Sequence, residues 1–300
     1  MTDARRKHLA TASVASVIFF PHNIGLSRIA MHVDHETFTA VADAFSRQSK
    51  NFDAYEERNP ILQWMRSVVH QHMLAFIRPG DRVLELNAGT GIDAVFFAQH
   101  GVHVLATDIA SGMIEQLREK AAHSGFEEYI TTEQRSFTDL EELPSRSFDH
   151  IFSNFGGLNC AEDPGVVIRQ FQLLLKPGGT ATLVVMPPVC PWEIAVMFNG
   201  NFRLALRRMK RNGASAYIEG VYFTSYYFTP ARLIKMFGKK YRLLSLRGLG
   251  SFVPPPCFER FPRRFPTMFD ILKKLEQRFS YRIPFNRWAD HVILTMRYEP

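Results

Sequence analysis

The sequence predicts an α/β fold built on a parallel sheet, and three observations carry that prediction. Between Val83 and Met186 the apolar period alternates between strand-like and helix-like runs. Turn signals at Arg78-Pro79-Gly80-Asp81, Gly101, Gly125 and Lys176-Pro177-Gly178-Gly179 separate those runs. The stretch Val83 to Asp93 passes from an apolar strand through a two-glycine loop into a helix start. That layout lets backbone approach a nucleotide-like ligand closely.

Taken in order, Thr37 to Phe45 and Phe52 to Glu57 read as two short helices with a polar break between them. Asn59-Pro60 is a cap and first-turn proline for a long amphipathic helix on Ile61, Met65, Val68, Val69, Met73 and Phe76. Strand 83–86 follows, then a helix to Gly101. Strand 102–107 ends at Asp108 and leads into a helix from Ser111 with Ile114, Leu117 and Ala121 on one face. A weaker strand over 129–134 precedes Ser136-Phe137. Strand 150–153 ends in Asn154-Phe155-Gly156-Gly157, and a helix from Asp163-Pro164 turns Val167, Phe171 and Leu174 inward. Strand 180–186 closes the regular part. Beyond it, 192–209 reads as one amphipathic helix, 217–228 as an aromatic strand-like run, and Thr229-Pro230 as a helix start. The last two strands fall at 241–249 and 291–298. Three units result: a flexible N-terminal extension over 1–40, a core over 41–186, and a region 187–300. That last region holds the final strands and two insertions, 187–216 and 254–290.

With 46% hydrophobic and 22% charged residues, the 300-residue chain is long enough to bury a substantial core. Cys160, Cys190 and Cys257 are widely spaced and odd in number, which fits a reducing, cytoplasmic setting rather than a disulfide framework. Arg5-Arg6-Lys7-His8 and the apolar Leu9 to Phe20 look like a signal peptide, but the run is too short to span a bilayer. It also lacks a small-residue cleavage site. The expectation is an extension that stays outside the chemistry, with Met31 as an alternative start. The net charge of +7 conceals an asymmetry. Residues 191–300 hold 20 Lys+Arg against 7 Asp+Glu, while 1–190 hold 16 against 22. A basic C-terminal third suggests an acidic partner, an anionic ligand, nucleic acid or a membrane surface.

Several motifs occur in a telling order: Glu85-Leu86-Asn87-Ala88-Gly89-Thr90-Gly91, then Asp108, Phe148-Asp149-His150-Ile151 and Leu175-Lys176-Pro177-Gly178-Gly179. Upstream stand Phe45 and Phe52-Asp53. Together they resemble the class I S-adenosylmethionine-dependent methyltransferases, most closely the small-molecule group that includes the quinone-biosynthesis enzymes. The resemblance implies a Rossmann-like sheet of seven strands, mostly parallel with the last antiparallel, helices on both faces, and an aromatic cap from the insertions. It implies S-adenosylmethionine as cofactor, held at the loop by Glu85, Asn87, Ala88, Gly89 and Gly91. Asn87 replaces the family's first glycine and tolerates left-handed backbone. Asp108 would take the ribose hydroxyls, with Ile109 and Met113 against adenine. Phe137 joins them beside Ser136, where many relatives have an aspartate. Asn154 and Phe155 complete the set, and Tyr55 replaces the hydroxyl lost at Phe52.

The loop also satisfies the G-x-G-x-x-G/A fingerprint of NAD-binding proteins. Glu85 argues against that rival, because it would repel a pyrophosphate and accept an ammonium group.

Methyl transfer from a sulfonium is an in-line displacement, so alignment in a water-poor site matters most. A base is needed only when the nucleophile starts protonated. His291, which opens the last strand at the ligand edge, and His35 are the candidate bases. No metal is expected: His70 and His72 point apart on their helix, and His32 to Glu36 lacks a further ligand. Trp192, Phe198, Phe202, Phe258, Phe261 and Phe269, with Phe265, are expected to form a lid over an apolar or aromatic acceptor, which the charge allows to be anionic. The expected function is methyl transfer to an oxygen or activated carbon of such a molecule. The alternatives are an RNA substrate drawn by Arg207 to Arg211, or an acceptor tethered to an acidic carrier protein. The same basic surface also fits an anionic membrane. The absence of an RNA-binding module and the hydrophobic lid argue against nucleic acid.

Overall fold

A computed structural model describes residues 35–300, apart from 196, 198, 199 and 201. The extension 1–34 and the lid candidate Phe198 lie outside the described residues. The chain runs α1 (His35–Arg58), α2 (Pro60–Met73), β1 (Arg82–Leu86), α3 (Ile92–Gln99), β2 (His103–Asp108), α4 (Ser111–Ser124) and β3 (Ile130–Gln134). It continues through β4 (Phe148–Ser153), α5 (Gly165–Leu174), β5 (Leu175–Val185), α6 (Pro191–Ala195), α7 (Phe202–Ala205), β6 (Ala214–Ile218) and β7 (Val221–Ser225). It ends with α8 (Pro230–Phe237), β8 (Tyr241–Leu249), α9 (Phe261–Arg264), α10 (Pro266–Phe279) and β9 (His291–Tyr298).

Seven strands form the main sheet in the order β3-β2-β1-β4-β5-β9-β8. The first five are parallel, and β9 runs antiparallel to both its neighbours. One hydrophobic core lies on the face covered by α5 and α8, with Phe171 and Leu233 at its centre. The other lies under α2, α3, α4 and α10, around Met65, Phe97 and Leu117. The seven-stranded, mostly parallel α/β sheet is the one expected.

Three elements differ from expectation. α1 runs unbroken for 24 residues, because 46–51 contains no Gly or Pro to break it. Ser49 Oγ donates to Ser46 O at 2.9 Å. α4 crosses there so closely that a Cβ on Gly112 would lie 2.7 Å from the Ser46 carbonyl oxygen. The predicted helix over 192–209 divides into α6 and α7, and Gly200 between them sits at φ 78°, a left-handed value that ends a helix. The aromatic run at 217–228 is no single strand: it spans the end of β6, the Glu219-Gly220 turn and β7, an antiparallel hairpin outside the main sheet.

Two devices position the loops. Lys176 Nζ lies 2.8 Å from both oxygens of Asp149, so the Lys-Pro-Gly-Gly bulge is clamped to β4. On α10, Glu276 is fully buried and accepts N–H bonds from Gly250, Ser251, Phe252 and Val253 at 2.8 to 3.2 Å. That carboxylate pins the insertion to the end of β8.

Candidate functional site

A cavity opens at the carboxyl edge of β1, β2 and β4, where an open parallel sheet presents its ligand loops. Its floor is the loop after β1, including Asn87, Ala88, Gly89 and Thr90. Asn87 takes φ 49°, the left-handed conformation for which Asn is suited. Its amide is fixed on both sides, accepting from Ser153 Oγ at 2.6 Å and donating to Asn154 O at 2.9 Å. Gly91 stands behind the floor at φ 83°, and a Cβ there would meet Leu117 Cγ at 2.6 Å. Only glycine lets α3 and α4 pack this closely behind the loop.

The second wall comes from β2 and its loop. Asp108 Oδ2 accepts from Gly89 N and Oδ1 from Ala110 N, each at 2.9 Å. Each oxygen keeps a lone pair for a ligand, and the carboxylate orientation is set before one arrives. Burial raises the Asp108 carboxyl, while those backbone donors pull it back only in part. Ile109, Met113 and Phe137 add flat apolar surface beside it.

α1 closes the cavity. Val41, Phe45 and Phe52 line it from above, and Asp53 beside them accepts from Thr90 Oγ1 at 2.6 Å and meets Lys120 Nζ at 2.7 Å. The hairpin backs α1: Phe45 packs on Phe223 with ring centroids 5.9 Å apart, and Val41, Cys160, Ala216 and Ile218 share one small core. Asn159 ties the pieces together. It donates to Met186 O and Tyr226 O and accepts from Met186 N at 2.9 Å.

A buried charge cluster stands at the cavity's inner end. Arg66 Nη1 donates to Asp93 Oδ2 at 2.5 Å, and its Nε and Nη2 form a bidentate pair with Glu56. Asp93 also accepts from Asn154 Nδ2 at 2.8 Å and meets His70 Nε2 at 2.6 Å. Burial alone would raise the Asp93 carboxyl, but Arg66 and His70 outweigh it and hold it well below the carboxylate range. Glu85 has the opposite fate. Burial and the Asp93 charge push it well above its ordinary value, and its Oε2 has no hydrogen-bond partner.

Nine expected residues thus meet on the wall: Asn87, Ala88 and Gly89 from the first loop, Asp108, Ile109 and Met113 from the second, and Phe137, Asn154 and Phe155. Glu85, at 1% exposure, and Gly91 lie behind it. Ser136 is turned into its own loop, bonded to Thr138 Oγ1 at 2.7 Å. Tyr55 OH accepts from Asn59 Nδ2 at 3.1 Å, at the cap of α2. His291 is sealed, its Nδ1 2.9 Å from Asp290 Oδ2 and its ring edge-on to Phe155 at 5.7 Å. His35 opens α1, and its side chain lies outside the described residues. None of the described residues of 187–300 lines the cavity. Trp192 packs instead on Phe258 and Phe261, Phe269 on Trp64, and Phe202 and Phe265 are exposed.

Arg66, Asp93 and Cys160 are wall residues that the sequence reading did not single out. For Arg66 a signal existed: a charge inside the apolar stripe Leu62, Arg66, Val69, Met73 of α2. Among the described residues, Cys190, Glu193 and Asp290 place ligand atoms within 4.8 Å of one another. Arg207 and Arg208 already pair with those carboxylates at 2.5 to 2.7 Å, and burial pushes the Cys190 thiol up to about 12. That donor set suits an ion-pair cluster, not a metal.

Comparison with known proteins agrees with this geometry. Residues 83–179 match a family model described as a methyltransferase domain. A demethylmenaquinone methyltransferase of Symbiobacterium thermophilum is 31% identical over 145 residues, 46% of this chain and 56% of that protein. An S-adenosyl-L-methionine-dependent Diels-Alderase of Talaromyces variabilis is 35% identical over 106 residues, 35% of this chain and 36% of its own length. The chain therefore spans about half or less of these relatives. A Burkholderia thailandensis 1,6-didemethyltoxoflavin-N1-methyltransferase, solved with S-adenosylhomocysteine, superposes with TM-score 0.55 at 14% identity. The match covers 93% of this chain and 99% of that one, and it shows a shared fold.

Proposed function

We propose that the chain is an S-adenosylmethionine-dependent methyltransferase acting on an oxygen, or an activated carbon, of a hydrophobic or aromatic small molecule. One observation carries the reading: a preset carboxylate, a left-handed loop and an apolar α1 wall converge on one cavity at the ligand edge of the sheet. The family match over 83–179 and the names of the relatives support it.

The residues fit the cofactor. Asp108 offers paired acceptor sites for vicinal hydroxyls, and Ile109, Met113 and Phe137 offer a slot for a flat base. The bound cofactor supplies an activated methyl group on a positively charged sulfur. Asp108 places a carboxylate on the wall, and the inner cluster sets two carboxylates, Glu56 and Asp93, against the one arginine Arg66, which suits a cation. Val41, Phe45 and Phe52 exclude water and orient an apolar acceptor, which is most of what an in-line displacement requires. Burial pushes the Cys160 thiol up to about 12, so it stays protonated and serves as apolar wall.

Label transfer tests the reading. Protein incubated with methyl-tritiated S-adenosylmethionine and a panel of phenols, quinols and enols should move label into the organic extract for at least one acceptor. Phe45→Arg should suppress it. Because one relative is named as a Diels-Alderase, acceptor consumption is followed separately by mass. Cofactor binding with no label on any acceptor would overturn the transfer step.

A further inference from the structure

The long connection between β8 and β9 carries an outer face that the cavity does not use. α10 has two stripes. Its inner stripe, Phe269, Leu272, Glu276 and Phe279, faces the molecule, with Phe269 and Glu276 buried. Its outer stripe is also apolar: Met268, Ile271 and Leu275 follow at helical spacing, and the first two are 50% and 46% exposed. Arg278 lies on the same line one turn after, Lys274 stands beside it, and the exposed Arg264 ends α9 just ahead of α10. The loop beyond adds Ile283 at 68% and Trp288 at 48% exposure, each next to an exposed arginine, Arg282 and Arg287. Acids are scarce here. Within 254–290, Glu276 and Asp290 are buried and Asp270 is tied to Lys273 at 2.7 Å, which leaves Glu259.

We propose that this face docks on an anionic lipid bilayer surface. Exposed Met, Ile and Trp side chains enter the headgroup boundary, while the arginine and lysine heads reach lipid phosphates along their apolar stems. An acidic protein would pair with the cations but would gain little from a row of isolated aliphatic side chains. A second copy would bring the same positive charge against itself. Among the described residues no helix is long and apolar enough to cross a membrane, so the contact is superficial. β8 ends and β9 begins at the edge where the cavity opens, since Leu249 pairs with His291. Delivery of a lipid-dissolved acceptor to that edge follows, and this last step alone rests on the methyltransferase reading.

Vesicle flotation tests docking independently of catalysis. The protein should float with vesicles of equal parts phosphatidylglycerol and phosphatidylcholine and stay behind with phosphatidylcholine alone. Ile271→Asp with Ile283→Asp should cut the bound fraction roughly tenfold, and Lys274→Glu with Arg278→Glu should do the same. Both variants should keep their melting midpoint and their S-adenosylhomocysteine affinity. Three results would overturn the proposal: no flotation of the wild type, equal flotation of the Ile271/Ile283 variant, or a dimer that the same substitutions dissociate.

Discussion

The cavity half and the C-terminal third are both organised around a buried charge, but the charges do different work. In the cavity half, Arg66 is held between Glu56 and Asp93 directly on the wall, so fold and site share one keystone. In the C-terminal third, Glu276 is held by four backbone N–H groups, and neither it nor their residues line the cavity, so it fixes the insertion and not the wall. The contrast teaches that the 254–290 insertion is fixed independently of the residues that line the cavity, and substitutions at the two keystones can break it.

The largest effect is expected for Arg66→Met, which leaves buried Glu56 without a counter-charge and Asp93 with only His70 and the Asn154 amide. It should cost about 3–5 kcal/mol in urea unfolding and weaken cofactor binding as well. Glu276→Ala strands four backbone donors, three of them buried, and should cost about 3 kcal/mol, with cofactor affinity unchanged by calorimetry. If it weakens the cofactor as much as Arg66→Met does, the separation between the two regions fails.

The seam between them has its own signature. His72 on α2 bonds through Nε2 to Thr295 Oγ1 on β9 at 2.8 Å, and burial, aided by Arg247, holds it down to about 4. Its unfolded value is 6.5. The folded ring resists protonation, so its contribution is intact above pH 6.5 and is lost as pH falls from there toward 4. The loss should reach about 3 kcal/mol, read as a falling melting midpoint, and His72→Gln should flatten that slope.

Much of this was legible in the sequence. Alternating period and turn residues give all seven strands, and the glycine loop, Asp108 and Asn154-Phe155 lie on the cavity wall because backbone requirements fix their positions locally. The unbroken α1 escaped because a polar run without Gly or Pro reads as a break until its tertiary partner, Gly112, is known. The aromatic insertions misled for a different reason. Aromatic content announces burial or exposure but not which surface receives it, and Phe269 turned to α2 while Phe265 turned to solvent. Arg66 and Glu276 each interrupt an apolar helical stripe, a local signal whose partners lie far away in sequence.

The central claim is that Asp108 and the left-handed loop hold S-adenosylmethionine in this cavity. Calorimetric titration of S-adenosylhomocysteine into wild type and Asp108→Ala tests it most directly. The account predicts saturable binding at one site per chain, weakened roughly a hundredfold in the variant as bonds to a charged acceptor are lost, with folding intact by circular dichroism. No binding by the wild type, or equal binding by the variant, would contradict it.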